Sequence, residues 1–314
     1  MPKRPRSLAA PTLALTLLVA IGPLTLGSPA PTAASIVSSY TSAGREPAAP
    51  GVLYDQGRLI TTAGSQAVSI VEIDLANPAI SLESSLSNGR VTGLERTSSQ
   101  AQNHSFEGHR VVAAINGDVW AGFSNDMEDA PNGLHVEAGE LVTVGPAARP
   151  TFGVGPDGRP LLGSPLVSVT LGTSSAGQFV INRVNQLRRP GELVLFTPRF
   201  ASRTSSAASG VDLVIAGLAL PLRPSGTWTG FISTVRPADG GWPIEPGTVV
   251  LTAPALSPLG SLLPGEPITL TTAATTGWSP SKAWTLTAST PSPTSCVGCR
   301  APPSAAAASA KRSR

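Results

Sequence analysis

Between Ser35 and Ser281 this chain of 314 residues contains no lysine and no cysteine. Without cysteine no disulfide can staple that stretch, so its core must come from apolar burial, for which the length is ample. Aromatic residues reach only 4% and charged residues 13%. With 32 Gly and 31 Pro beside many Thr, Ser and Val, the balance favours turn-rich β structure over a helical bundle. Apolar residues still make up 41% and recur in short runs, which excludes a wholly disordered chain.

Basic patches are lacking as well. The formal net charge is +3, yet residues 35–281 carry 14 Arg against all 19 acids, leaving −5. The positive excess sits at the two ends, so the pI of 9.2 is no sign of nucleic-acid binding by the central part. Both cysteines fall in "SCVGC", Cys296 and Cys299, flanked by Pro, Ser and Thr. No second Cys or His pair completes a zinc set, and no strand-then-helix context suits a redox motif. The three histidines, His104, His109 and His135, match no ligand spacing. No metal and no cofactor are expected.

The N-terminus reads as an export signal. Lys3, Arg4 and Arg6 precede an apolar core from Leu13 to Ile21, and Thr32-Ala33-Ala34 offers small residues for cleavage before Ser35. Pro23 interrupts the apolar stretch, which is too short for a membrane span. Membrane contact is expected only through an uncleaved signal, and the mature chain is expected in the cell envelope or outside the cell.

Alternation and breaks set the organisation. "QAVSIVEIDL" alternates as a half-buried strand, Asn77-Pro78 breaks it, and "AISLESSLS" alternates again as a neighbouring antiparallel strand. "LERTSSQAQ", Leu94 to Gln102, reads as a short helix. "RVVAAIN" is a continuous apolar run, the pattern of a buried central strand. Further strands are expected at "GLHV", "TFGVG", "LVSVTLG", "QFVIN", "ELVLFTP", "VDLVIAG", "WTGFIST", "GTVVLTA" and "PITLTTA". The expectation is an α+β fold, mostly antiparallel or mixed β-sheet with few short helices, in a single domain. Residues 1–34 are assigned to the signal, 35–51 to a flexible linker, 52–278 to the folded domain and 279–314 to a low-complexity tail.

The apolar run ends in Asn116-Gly117-Asp118. At a strand end these residues suit a loop that carries function, with Gly117 allowing a tight turn or close approach to a ligand. A plain turn uses the same residues. Of the acids nearby, Asp126, Glu128 and Asp129 read as a solvated loop, whereas the strand-end position singles out Asp118. Arg183, beside Asn182 after "QFVI", is a candidate ligand for a phosphate or sugar, against the alternative of one surface arginine among many. Asn103-His104-Ser105 fits a glycosylation acceptor. No serine occupies a nucleophile elbow and no glycine loop is shaped to cradle phosphate.

"AAINGDVWAGFSNDMEDAPNGLHVEAGELV" resembles the central signature of the phosphodiester glycosidase family: an apolar strand, Ala-Ile-Asn-Gly, then a Pro…Gly loop before another strand. Pro131, Gly133, Leu134 and Gly139 stand in that pattern. "VSIVEIDLANPAISLESS", "FGVGPDGRP" and "VINRVNQLRRPGELVLFTPRFASRT" resemble further blocks in order, so the likeness spans roughly Val52 to Thr276. It implies an exported hydrolase that removes a sugar from a phosphodiester or a related envelope glycan. By that likeness Asn116 and Asp118 would be catalytic, and Gly117, Gly133, Asn182 and Arg183 would bind a carbohydrate or sugar-phosphate substrate in one cleft. The Arg-Thr strand and Asp-Gly-Gly segment of the family do not appear. "SPSKAWTLTASTPSPTSCVGCRAPPSAAAASAKRSR" follows instead, without a single acid, as in a frameshifted, truncated or disordered end. Weak or no activity is therefore expected, the alternative being a non-catalytic remnant or carbohydrate-binding module.

Overall fold

A computed structural model describes residues 37–117, 130–145, 147–205, 209–238, 241–274 and 282–285. Strands dominate the described residues, with one short α-helix among them. The chain opens with β1 (Val37–Ala49), β2 (Val52–Thr61) and β3 (Gly64–Ile73), a three-stranded sheet in that order. Residues 37–45 and 55–70 of these strands form one compact unit, and the remaining described residues form a second.

In the second unit α1 (Thr97–Asn103) comes first, followed by β4 (His135–Glu137), β5 (Glu140–Thr143), β6 (Thr151–Val154) and β7 (Pro160–Gly163). Then come β8 (Val167–Thr173), β9 (Gly177–Ile181), β10 (Arg183–Val184), β11 (Val194–Phe196), β12 (Gly210–Ala216), β13 (Gly226–Ala238), β14 (Val249–Pro254) and β15 (Pro267–Ala274). The last described strand is β16 (Lys282–Thr285). Nine strands lie where alternation placed them, from "GLHV" to "PITLTTA".

Eight strands form a nearly closed, barrel-like sheet in the order β10-β11-β14-β12-β13-β15-β8-β9. Its two terminal strands are consecutive in sequence, separated only by Asn182, so a single chain segment pairs with β8 at one end and β11 at the other. All pairings in this sheet are antiparallel except β10 with β11. The period of two sorts the side chains. Val169, Leu171, Leu213, Ile215, Val249 and Leu251 join one core. Their neighbours Val214 and Val250 turn the other way and join Phe196, Phe200 and Val142 in a second. Removing one such buried Leu costs about 2–5 kcal/mol.

A five-stranded sheet, β5-β4-β16-β6-β7, completes the second unit. The β4–β5 hairpin turns through Ala138 (φ 48°) and Gly139 (φ 80°), the paired left-handed conformation of a two-residue turn matched to strand twist.

Five expectations change. The stretch assigned to a linker holds β1, whose Val, Tyr and Thr supply strand propensity that its Ser, Gly and Pro disguise. "AISLESSLS" keeps its alternation, with Leu82, Ser84 and Leu86 turned inward, but it is an extended segment and no strand. The run ending at Asn116 is neither strand nor buried, and Ile115 is 85% exposed. A run of apolar residues records a tendency to be buried, but it cannot specify whose N–H and C=O groups will face it. Finally Lys282–Thr285, inside the expected tail, pairs antiparallel with both β4 and β6. The expected single domain is divided into the two units given above.

Candidate functional site

Asn116 is held at the start of the helix. Thr97 Oγ1 donates to Asn116 Oδ1 at 2.6 Å, so the acceptor end of the carboxamide is engaged, and its N–H₂ end makes no bond among the described residues. Asn116 and Gly117 are both exposed. Hydrogen bonds carry this loop towards β4: Ser85 Oγ donates to Gln100 Oε1 of α1 at 2.9 Å, and the adjacent Ser84 Oγ donates to the Val136 carbonyl at 3.1 Å. Asp118, the other expected catalytic residue, lies outside the described residues, as do Asp126, Glu128 and Asp129.

Gln186 links Arg183 to the segment before Gly133, and Asn182 adjoins Arg183. The Gly133 carbonyl accepts from Thr143 Oγ1 at 2.7 Å. Gln186 accepts from Arg183 Nη1 at 3.0 Å through Oε1 and donates to the Pro131 carbonyl at 3.0 Å through Nε2. Asn182 pairs with Leu193 twice, its N–H donating to the carbonyl at 2.9 Å and its Oδ1 accepting the amide at 2.8 Å. Arg183 grips Glu192 with two parallel bonds, Nε to Oε2 at 2.5 Å and Nη2 to Oε1 at 3.0 Å. Burial pushes the Glu192 carboxyl up, but the Arg183 guanidinium and the Arg189 N–H outweigh it and hold it below the usual carboxylate range. Hydrogen bonds thus tie Asn116 to α1 and Asn182 and Arg183 to the β9–β10 junction, with three of the five N–H groups of Arg183 engaged within the fold.

Asn185 was not legible as important, yet it holds this end together. It is buried with φ 51°, and its Nδ2 donates to the Val142 carbonyl at 2.7 Å and to Thr197 Oγ1 at 2.8 Å. Its Oδ1 accepts the Thr197 amide at 2.8 Å. An asparagine tolerates that backbone better than other polar residues.

A charged cluster lies on β4 and β5. Glu137 and Glu140 face each other across the hairpin. Arg199 Nη2 is bonded to Glu137, and its Nε stands 3.7 Å from Glu140 Oε2. His135 Nε2 is 3.7 Å from Glu137 Oε2, beyond hydrogen-bond length. Burial raises both carboxyls, with opposite net results. At Glu137 the neighbouring His135 and Arg199 prevail and lower it. At Glu140 burial prevails over Arg199, the Glu137 charge adds to it, and the carboxyl is raised. Two carboxyls moved apart by environment can divide the roles of acid and base. His135, Glu137 and Glu140 occur at i, i+2 and i+5, a pattern common in any exposed hairpin, and only the fold shows that they meet. Among the described residues no group of three or more His, Cys, Asp or Glu is placed to hold a metal ion.

No protein-family model and no curated protein matches the chain. In structure it is similar to a hypothetical protein from Synechocystis, with TM-score 0.54, 16% identity, and 76% of this chain covered. The chain spans 42% of that protein's length. It is also similar to a protein of Burkholderia pseudomallei K96243 described as exported, with TM-score 0.60, 13% identity, and coverage of 83% of this chain and 74% of that one. At these identities the likeness is one of fold. No described helix is long and apolar enough to cross a membrane.

Proposed function

We propose that this chain is an exported hydrolase of the phosphodiester glycosidase type, on an α+β scaffold with a small helical part, that cleaves a sugar from a phosphodiester or a related envelope glycan. The observation that supports it most is the fixed orientation of Asn116. With Thr97 bonded to its oxygen, an exposed amide donor is held ready for an anionic or sugar oxygen, as a group stabilising developing charge should be. The ordered sequence blocks, and the neighbour described as exported, point the same way. Asp118, adjoining that loop, is the carboxylate of the proposal.

One observation favours the second reading, a carbohydrate-binding module without catalysis. Three of the five N–H groups of Arg183 are bonded within the fold, so the expected phosphate ligand has few donors left to offer. Turnover should therefore be slow. The test is hydrolysis of a nitrophenyl sugar phosphodiester by the mature chain. Turnover that falls about 100-fold in Asn116→Ala supports the hydrolase. Binding of glycans without turnover supports the module.

A further inference from the structure

We propose that the cluster of His135, Glu137, Glu140 and Arg199 is a binding subsite for sugar hydroxyls. The proposal extends the glycan reading above to a named place, though its argument stands on the geometry of the β4–β5 hairpin.

Two buried polar atoms in the cluster have no hydrogen-bond partner among the described residues: His135 Nε2 and Arg199 Nε. The His135 side chain is 7% exposed and its free nitrogen is aimed at Glu137. A buried polar atom left unpaired costs about 1–3 kcal/mol, so the site is complete only when a further group is present. The chemistry of that group follows from the atoms that would meet it. Arg199 Nε can only donate, so the group must accept there, while the carboxylate oxygens can only accept, so it must also donate. A hydroxyl does both.

Charged ligands fit poorly. An anion would meet two carboxylates at close range. A metal cation would have to displace the Arg199 guanidinium, which already stands against both. The carboxylates are balanced by Arg199, with Arg223 Nη1 close to Gly139 of the same turn, which suits a neutral ligand. Two hydroxyls on adjacent carbons would serve the set, one bonding to both His135 and Glu137 and one to both Arg199 and Glu140. Planar carboxylate, guanidinium and imidazole groups close together are suited to such a pair. The bond from Ser84 to the Val136 carbonyl fixes the strand between His135 and Glu137.

The experiment titrates the mature chain, with labelled histidine, against methyl α-D-glucopyranoside and methyl α-D-mannopyranoside while the His135 ring signals are followed. Saturable shifts of those signals are expected, with affinity reduced about tenfold or more in Glu140→Gln, where one charged acceptor is lost. Arg199→Lys, which keeps the charge and removes the Nε donor, should weaken binding similarly. Thermal melting of each variant checks that it is folded. Unmoved His135 signals, or binding unchanged in both folded variants, overturn the proposal. So do shifts produced by Zn²⁺ or inorganic phosphate in place of the glycosides. Hydrolysis is read separately: turnover with an unchanged KM in Glu140→Gln sinks the subsite alone. Glycoside binding lost in that variant, without any turnover, supports the subsite and sinks the hydrolase.

Discussion

Arg183 and Glu192 are joined by two parallel hydrogen bonds of 2.5 and 3.0 Å, one residue beyond Asn182, where the barrel-like sheet closes. The bidentate pair is nearly buried, with Arg183 at 8% side-chain exposure. Removing one partner strands the other, so Glu192→Ala should lower unfolding free energy by about 3 kcal/mol. The double variant Arg183→Met, Glu192→Leu should recover most of that loss. Urea denaturation of the three proteins measures both effects. A Glu192→Ala protein as stable as the parent would mean that the pair does not hold the closure.

Acid should weaken the fold through the same residue. Glu192 and Glu137 titrate below their ordinary value of 4.5 in the folded chain. Such groups contribute stability fully above their unfolded value, and the contribution is lost as pH falls through the folded value. Melting temperature should accordingly decline below about pH 4.5. Glu140 has the opposite sign: it is raised by burial, so its ionised form costs stability at neutral pH. Glu137→Gln should then lower the melting temperature at pH 7 while Glu140→Gln leaves it equal or higher. Equal losses from both substitutions would contradict the assignment.

Much of the fold was legible in the sequence, and the reasons for the remainder are specific. Strands such as β8, with Val167, Val169 and Leu171 inward, declare themselves because one face is buried and the period of two is clean. β10 is two residues long and owes its place to Val194 and Leu195 across from it, which no local pattern can announce. The stretch before Asn116 misled for the same reason in reverse, since its apolar residues lack a partner strand among those described. Arg183 was visible as a residue but not as a pair, because Glu192 lies nine positions on, beyond any helical or strand spacing. The His135 cluster needed a hairpin turn and an arginine 62 positions from Glu137.

Close backbone packing gives a sharper test of the sheet. A Cβ at Gly230 would lie 2.6 Å from the Ala216 carbonyl and 3.0 Å from Leu218 Cδ2. Backbone in a paired strand cannot easily yield, so Gly230→Ala should destabilise by about 1–3 kcal/mol. At Gly172 the nearest atom would be 3.7 Å away, and Gly172→Ala should be neutral or slightly stabilising. A comparison of midpoints in urea decides it, and equal midpoints would show that β12 and β13 are not packed this way.

The last prediction concerns Lys282–Thr285. This short strand sits between β4 and β6, with Ala283 opposite both Val136 and Gly153, and Trp284 opposite both His135 and Phe152. Without it two strand edges face each other unpaired, each presenting N–H and C=O groups to water or to another chain. Each lost backbone bond costs about 1 kcal/mol, and about 2–4 °C of melting temperature follows per kcal/mol in a domain of this size. A chain ending at residue 278 should therefore melt at least about 4 °C lower and associate more readily than one ending at residue 288. It should also lose glycoside affinity, because β4 carries His135 and Glu137. If the two shortened chains melt alike and stay monomeric, β16 contributes nothing to the sheet, and the edges of β4 and β6 must be satisfied in some other way.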